Sequence, residues 1–257
     1  MMKSVLISGG AQGIGAAIAR LFYQKNYNVG IYDLNVEKAC QLAQSLGIRA
    51  HAGQLDVSDY SSWQAALEDF HQWAGELHLL INNAGILYSG AFEEISIEQH
   101  QRLLDINVKG VLNGCHAALP YLQQASQARV INLSSASAIY GQPDLVSYAA
   151  SKFAVRGISE GLDIEWAKYG IRVLDVMPLF VATDMVVNMD AASIRNMGVS
   201  LSSQDVAKTV YRAATRASVL CDTHWLVGLK SQCFYQVSGL SPQRINRWIN
   251  TWINRRS

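Results

Sequence analysis

Short β-rich runs and amphipathic helical patterns take turns along this chain, and that alternation admits few folds. Residues 3–8, 28–33, 48–53, 77–82, 128–134 and 171–177 read as strands. All but the third are dominated by Val, Ile and Leu with little polar alternation, as expected of strands covered on both faces. Between them, segments 14–25, 35–46, 59–74, 97–124 and 147–169 carry helical periodicity. Gly47 and Gly170 stand just past two of these helices, where a positive-φ residue commonly ends a helix. Ser96-x-x-Gln99 has the form of a capping box opening the fourth. The expected fold class is α/β, a doubly wound parallel sheet of about seven strands with helices on both faces.

The first strand runs into Ser8-Gly9-Gly10-Ala11-Gln12-Gly13-Ile14-Gly15 and then a helix. Glycine lets backbone approach a pyrophosphate, and a helix N-terminus offers unpaired N–H groups and a positive dipole end. Set between strand one and helix one, the loop marks a Rossmann-type dinucleotide site. Asp33 closes the second strand and fits the acid that hydrogen-bonds an adenosine ribose 2′-hydroxyl. A 2′-phosphate would meet its charge, and neither the loop nor Leu34 and Asn35 offers a compensating base. NAD is therefore favoured over NADP. Asp33 also suits a helix N-cap, a role compatible with the first.

Tyr148-Ala149-Ala150-Ser151-Lys152 puts a phenol and an ammonium four residues apart on one helix face, about 5–6 Å apart at Cβ. A neighbouring cation favours phenolate, so the Tyr148 pKa should fall below its usual value of about 10. Tyr148 is thereby a candidate general acid and base. Ser135, on a separate segment, could hydrogen-bond the oxygen whose proton Tyr148 moves. Ser134 beside it points to the opposite face of an extended segment and reads as structural.

Glycine loop, strand-two acid and Ser/Tyr/Lys set together resemble the short-chain dehydrogenase/reductase family, in its compact single-domain branch. The resemblance runs from Lys3 to about Thr183. It takes in Asp56-Val57, matching the adenine-contacting pair, and Asn82-Asn83-Ala84-Gly85, matching the motif beside the cofactor. It also takes in Asn107, matching the fourth catalytic residue, and Pro178 with Val181 and Thr183, matching the segment that grips the nicotinamide carboxamide. The resemblance implies catalysis by Asn107, Ser135, Tyr148 and Lys152. It implies cofactor contacts from Gly9, Gln12, Gly13, Ile14, Gly15, Asp33, Asp56, Val57, Asn83, Ala84, Gly85, Tyr148, Lys152, Pro178, Val181 and Thr183. Family spacing also selects Ser135 over Ser134, and Asn107 would hold a water linking Lys152 to solvent. A homodimer or homotetramer built on segments 99–124 and 147–169 is implied in the same way. The family usually has Pro-Gly where this chain has Pro178-Leu179, which adds bulk at the substrate pocket.

The implied activity is an NAD-dependent interconversion of an apolar secondary alcohol, lipid-derived compounds included, with its ketone or aldehyde. The apolar run Phe180, Met185, Val186, Val187 and Met189 suits an adaptable pocket wall or plain helix packing. A rival reading is a non-catalytic NAD(H)-binding redox sensor, which would gain nothing from an intact Ser/Tyr/Lys/Asn set. Sugar epimerisation on the same fold would need a longer substrate domain after Thr183.

The overall charge of +1 argues against nucleic acid as partner. It hides an uneven distribution: residues 223–257 hold five bases and no acid. Residues 1–222 read as the dinucleotide-binding and catalytic domain, and 223–257 as a basic extension. There Ser241-Pro242 opens a helix whose Ile245, Trp248, Ile249, Trp252 and Ile253 make one apolar stripe flanked by arginines. Packing on this or a partner subunit, peripheral membrane contact through 242–256, and a lid over the substrate are the open readings. Four scattered cysteines and six dispersed histidines show no metal-ligand spacing. Without a signal-peptide pattern or an apolar run of about 18 residues, a cytoplasmic location is expected.

Overall fold

The computed structural model describes residues 2–183, 198–216 and 222–240, with Arg244 and Thr251 besides. The Met185–Met189 wall and the 242–256 helix lie outside the described residues. Seven strands form one parallel sheet: β1 Ser4–Ser8, β2 Asn28–Asp33, β3 Ala50–Gln54, β4 Leu79–Asn82, β5 Arg129–Leu133, β6 Arg172–Pro178 and β7 His224–Val227. The helices are α1 Gly13–Gln24, α2 Val36–Leu46, α3 Tyr60–Ala74, α4 Ile97–Leu104, α5 Gly110–Leu122, α6 Val146–Glu165, α7 Ser203–Thr215 and α8 Leu229–Leu240.

Both faces of the sheet are covered, which is why its strands read as unbroken apolar runs. Val5 and Ile7 of β1 pack with Ile18 and Phe22 of α1 and with Val206 and Val210 of α7. Leu6, between them in sequence, faces the opposite layer of Trp63, Phe70, Val111 and Val155. Phe22, Trp63 and Phe70 are fully buried, each contributing about 1.5–3 kcal/mol through removal from water.

Strand order is β3-β2-β1-β4-β5-β6-β7. The chain winds outward from β1 to one edge, then returns to β4 and winds to the other. This leaves a crevice at the carboxyl ends of β1 and β4, where ligands of such sheets bind.

Two elements differ from the sequence reading. The segment 97–124 is one helical path, but a π turn at Asp105–Lys109 separates α4 from α5. The extra residue in that turn carries Asn107 into the protein interior. The second is β7, which falls inside the basic stretch after residue 222 yet pairs with Asp175–Pro178 of β6. It is tied there by His224, whose ring nitrogens lie 2.7 Å from the buried Asp175 and 2.8 Å from Glu160 of α6. The capping box at Ser96 and Gln99 is formed, and Gly170 adopts φ 69° after the helix it ends.

Candidate active site

The turn after β1 closes only around glycine. Gly9 and Gly13 take positive φ (61° and 55°). A Cβ on Gly15 would lie 2.1 Å from the Gly9 carbonyl oxygen and 2.7 Å from Asn83 Nδ2. On Gly13 it would sit in ordinary van der Waals contact with Thr183 Cγ2 at 3.8 Å. Gln12 provides no side-chain cap to α1; its Oε1 accepts from Lys38 Nζ at 3.2 Å. The first-turn amides of α1 are thus uncapped at the positive end of the helix dipole. Such a cradle fits a pyrophosphate.

Ser8 and Asn83 fasten this loop to β4. The N–H groups of Asn83 and Ala84 donate to Ser8 Oγ at 3.1 and 3.2 Å. Asn83 Nδ2 donates to the carbonyls of Ser8 and Gly9 at 3.0 and 2.8 Å. On the other side of β1, Asp33 accepts from Ala11 N through Oδ2 and from Asn35 N through Oδ1, each at 3.0 Å. Asp56 follows β3 and accepts from Ser58 N and Ser58 Oγ at 2.9 and 2.7 Å. Val57 is buried beside it, and its carbonyl accepts from Trp63 Nε1 at 3.2 Å.

Past β4, β5 and β6 lies a cleft with a cavity volume of about 90 Å³. Ile14, Asn83, Gly85, Pro178, Val181 and Thr183 line it together with Ser135, Tyr148 and Lys152. Leu87, Leu145, Leu179 and Phe180 add apolar wall and pack as a small cluster with Tyr148. Leu179, where the family usually has glycine, therefore does occupy pocket surface.

Lys152 is buried. Its Nζ donates to the Leu133 carbonyl at 2.8 Å and sits 5.5 Å from the centroid of the Tyr148 ring. Asn107 Oδ1 accepts from Ile86 N at 2.8 Å, and Nδ2 donates to Ile86 O at 2.9 Å. A Cβ on Gly85 would come within 3.2 Å of Asn107 Oδ1 and 3.8 Å of Lys152 Nζ, so both converge on that glycine. Ser134 Oγ donates to the Lys152 carbonyl at 3.1 Å, a tie between β5 and α6.

The titration of the pair corrects one expectation. Burial pushes the Tyr148 phenol up to about 12, against a Ser135 hydrogen bond that pulls it down. Burial also pulls Lys152 down to about 8. The tyrosine is therefore not acidified in the protein alone. Desolvation of the phenolate outweighs an ammonium that is itself poorly solvated and committed to Leu133.

Sequence reasoning passed over Ser8, Lys38, Ser137 and Gln142. Lys38 stands one turn inside α2, beyond the residues that directly follow Asp33, and the others have no local pattern that marks them. Among the described residues, no group of His, Cys, Asp and Glu could hold a metal, and no helix is long and apolar enough to cross a membrane.

A glycine cradle at the switch point of a parallel sheet, with a Ser–Tyr–Lys cleft beside it, defines a Rossmann-type α/β oxidoreductase. Comparison with known proteins narrows the class. The family described as short chain dehydrogenase matches residues 3–193. A 3-alpha-(or 20-beta)-hydroxysteroid dehydrogenase of Mycobacterium tuberculosis is 36% identical over 183 residues, covering 71% of this chain and 70% of the relative. A D-threitol dehydrogenase of Mycolicibacterium smegmatis is 36% identical over 186 residues, covering 71% and 72%. Among solved structures, a 3-ketoacyl-(acyl-carrier-protein) reductase from Brucella melitensis complexed with NADH superposes with a TM-score of 0.82. It is 27% identical, and the match covers 88% of this chain and 96% of that one. The chain belongs to the short-chain dehydrogenase/reductase family.

Proposed function

We propose that this protein is an NAD-dependent oxidoreductase that interconverts an apolar secondary alcohol and its ketone. The observation that carries the proposal is the convergence of Ser135, Tyr148 and Lys152 on one apolar-walled cleft that opens beside the glycine cradle. The nicotinamide supplies or accepts the hydride. Gly9, Gln12, Gly13, Ile14 and Gly15 would hold the pyrophosphate. Asp33 would take the adenosine ribose, and Asp56 and Val57 the adenine. Asn83, Ala84, Gly85, Pro178, Val181 and Thr183 would border the nicotinamide half.

Tyr148 gives its proton to the carbonyl oxygen during reduction and takes it back during oxidation. Ser135 donates a hydrogen bond to that oxygen as charge grows on it. Lys152 presents its ammonium near the phenol, and Asn107, buried in the π turn, would hold a water that links Lys152 to solvent for proton resupply. Leu87, Leu145, Leu179 and Phe180 favour an apolar body next to the reacting carbon.

The test is dinucleotide oxidation with a panel of apolar ketones, run with NADH and with NADPH. A protein that binds NADH yet turns over nothing in the panel would end the proposal in favour of a sensor. Cofactor choice rests on Asp33, and Lys38 is a cation within reach of the loop. Asp33→Asn is expected to raise the NADPH-to-NADH rate ratio about tenfold or more, because the charge that opposes a 2′-phosphate is removed. An unchanged ratio would take cofactor selection away from Asp33.

Self-association also belongs to this reading. Val146, Phe153 and Ile164 are exposed apolar residues of α6, spaced to share one face. Leu112 of α5 is exposed as well. A second copy would cover this face, so light scattering should give at least a dimer mass. A monomer at micromolar concentration would refute the pairing.

A further inference from the structure

Ser135 is held by a chain of hydrogen bonds that leads away from the cleft. Its Oγ accepts from the Ser137 N–H at 3.1 Å, within a short helical turn at Ala136–Ala138. The two hydroxyl oxygens are 3.2 Å apart. Ser137 Oγ donates to Gln142 Oε1 at 2.9 Å. With its proton committed to Gln142, the Ser137 hydroxyl offers only lone pairs to Ser135. Besides the Tyr148 oxygen, the Ser135 proton therefore has two acceptors, Ser137 Oγ and the Pro178 carbonyl at 3.4 Å.

Gln142 is unusual for its place. It lies in the loop between the Ser135 turn and α6, and its neighbours Gly141 and Pro143 are exposed while Gln142 itself is buried. Its carbonyl accepts from Leu145 N at 3.3 Å, at the residue that begins α6. Tyr148 follows in the first turn of that helix. One residue thus joins the two segments, its side chain holding Ser137 beside Ser135 and its backbone carbonyl holding Leu145 at the start of the helix that carries Tyr148. A buried amide on a surface loop is costly unless its hydrogen bond is needed.

We propose that Gln142 is a positioning residue: acting through the Ser137 hydroxyl, it holds the Ser135 hydroxyl in register with Tyr148. Without that acceptor, the Ser137 proton turns toward Ser135 Oγ and competes for the lone pairs that orient it. The loop from 139 to 145 also loses its side-chain anchor. The proposal rests on Ser135 serving the reaction as described above. The hydrogen bond from Ser135 draws the Tyr148 pKa down, so losing the register should move the Tyr148 titration upward.

The test compares Gln142→Met, Ser137→Ala and Gln142→Glu in the full chain, each alone and in a Ser135→Ala background. Gln142→Met and Ser137→Ala should each lower kcat about tenfold, and should cost almost nothing further once Ser135 is alanine, because coupled residues are non-additive. The dissociation constant for NADH should stay unchanged in both. Gln142→Glu, whose carboxyl oxygen can accept from Ser137, should recover most of kcat. Equal losses with and without Ser135 would overturn the proposal, as would rates within twofold of wild type. Should Gln142→Met fail to fold, Ser137→Ala breaks the same link and decides between the same outcomes. Full turnover by Ser135→Ala alone would instead refute the role given to Ser135, a separate failure.

Discussion

Replacing Tyr148 with phenylalanine is expected to cut ketone reduction by about 10³-fold or more, the scale of a lost general acid with its positioning. NADH affinity should stay within about threefold of wild type, because the ring and its packing against Leu145 and Phe180 survive. The direction of the tyrosine's titration sharpens the expectation. With burial pushing the phenol up to about 12, Tyr148 carries its proton throughout the neutral range and starts as an acid. Reduction needs that protonated form, so Tyr148 itself imposes no loss of rate below pH 10. A limb is expected instead near pH 8, where Lys152 gives up its charge. Stopped-flow NADH oxidation from pH 6 to 10 measures both. A Tyr148→Phe enzyme retaining a tenth of the wild-type rate would remove the residue from the chemistry.

What could be read from the chain and what could not divide along a physical line. The strands β1, β2, β4, β5 and β6 were legible because a two-faced burial demand leaves apolar residues at nearly every position. The glycine loop was legible because Gly15 has no substitute next to the Gly9 carbonyl. By contrast, β7 is four residues long, and three of them are only half-buried. Its place in the sheet depends on His224 reaching Asp175, 49 residues earlier. The π turn at Asn107 left no periodic mark, since it answers to a bond with Ile86, 21 residues away. The Ser137–Gln142 bond has the same character in a loop without regular spacing. The Tyr148 titration runs opposite to expectation because i, i+4 spacing reports which groups are neighbours and not how little water surrounds them.

Lys152→Met should abolish turnover and at the same time stabilise the chain near neutrality. The lysine titrates near 8 when folded, against an ordinary value of 10.5. Below pH 8 the folded protein therefore carries a buried ammonium that the unfolded chain would hold in water. Between about pH 8 and 10.5 the unfolded chain binds a proton that the folded one has released, so wild-type stability rises with pH across that window. Below it the cost is fully present, about 3 kcal/mol by the size of the shift. The replacement also leaves the Leu133 carbonyl without its 2.8 Å donor, which takes back about 1 kcal/mol. The net expectation at pH 7 is about 2 kcal/mol of added stability, together with loss of the wild-type rise between pH 8 and 10.5. Urea unfolding of both proteins at pH 7, 8.5 and 10 measures it. A variant less stable than wild type at pH 7, or equal pH slopes in the two proteins, would mean that Lys152 is not desolvated as its position between β5 and Gly85 implies. The same desolvation that weakens the fold keeps this ammonium poised to lose its charge near the pH at which the enzyme would work, so instability and reactivity at this residue have one cause.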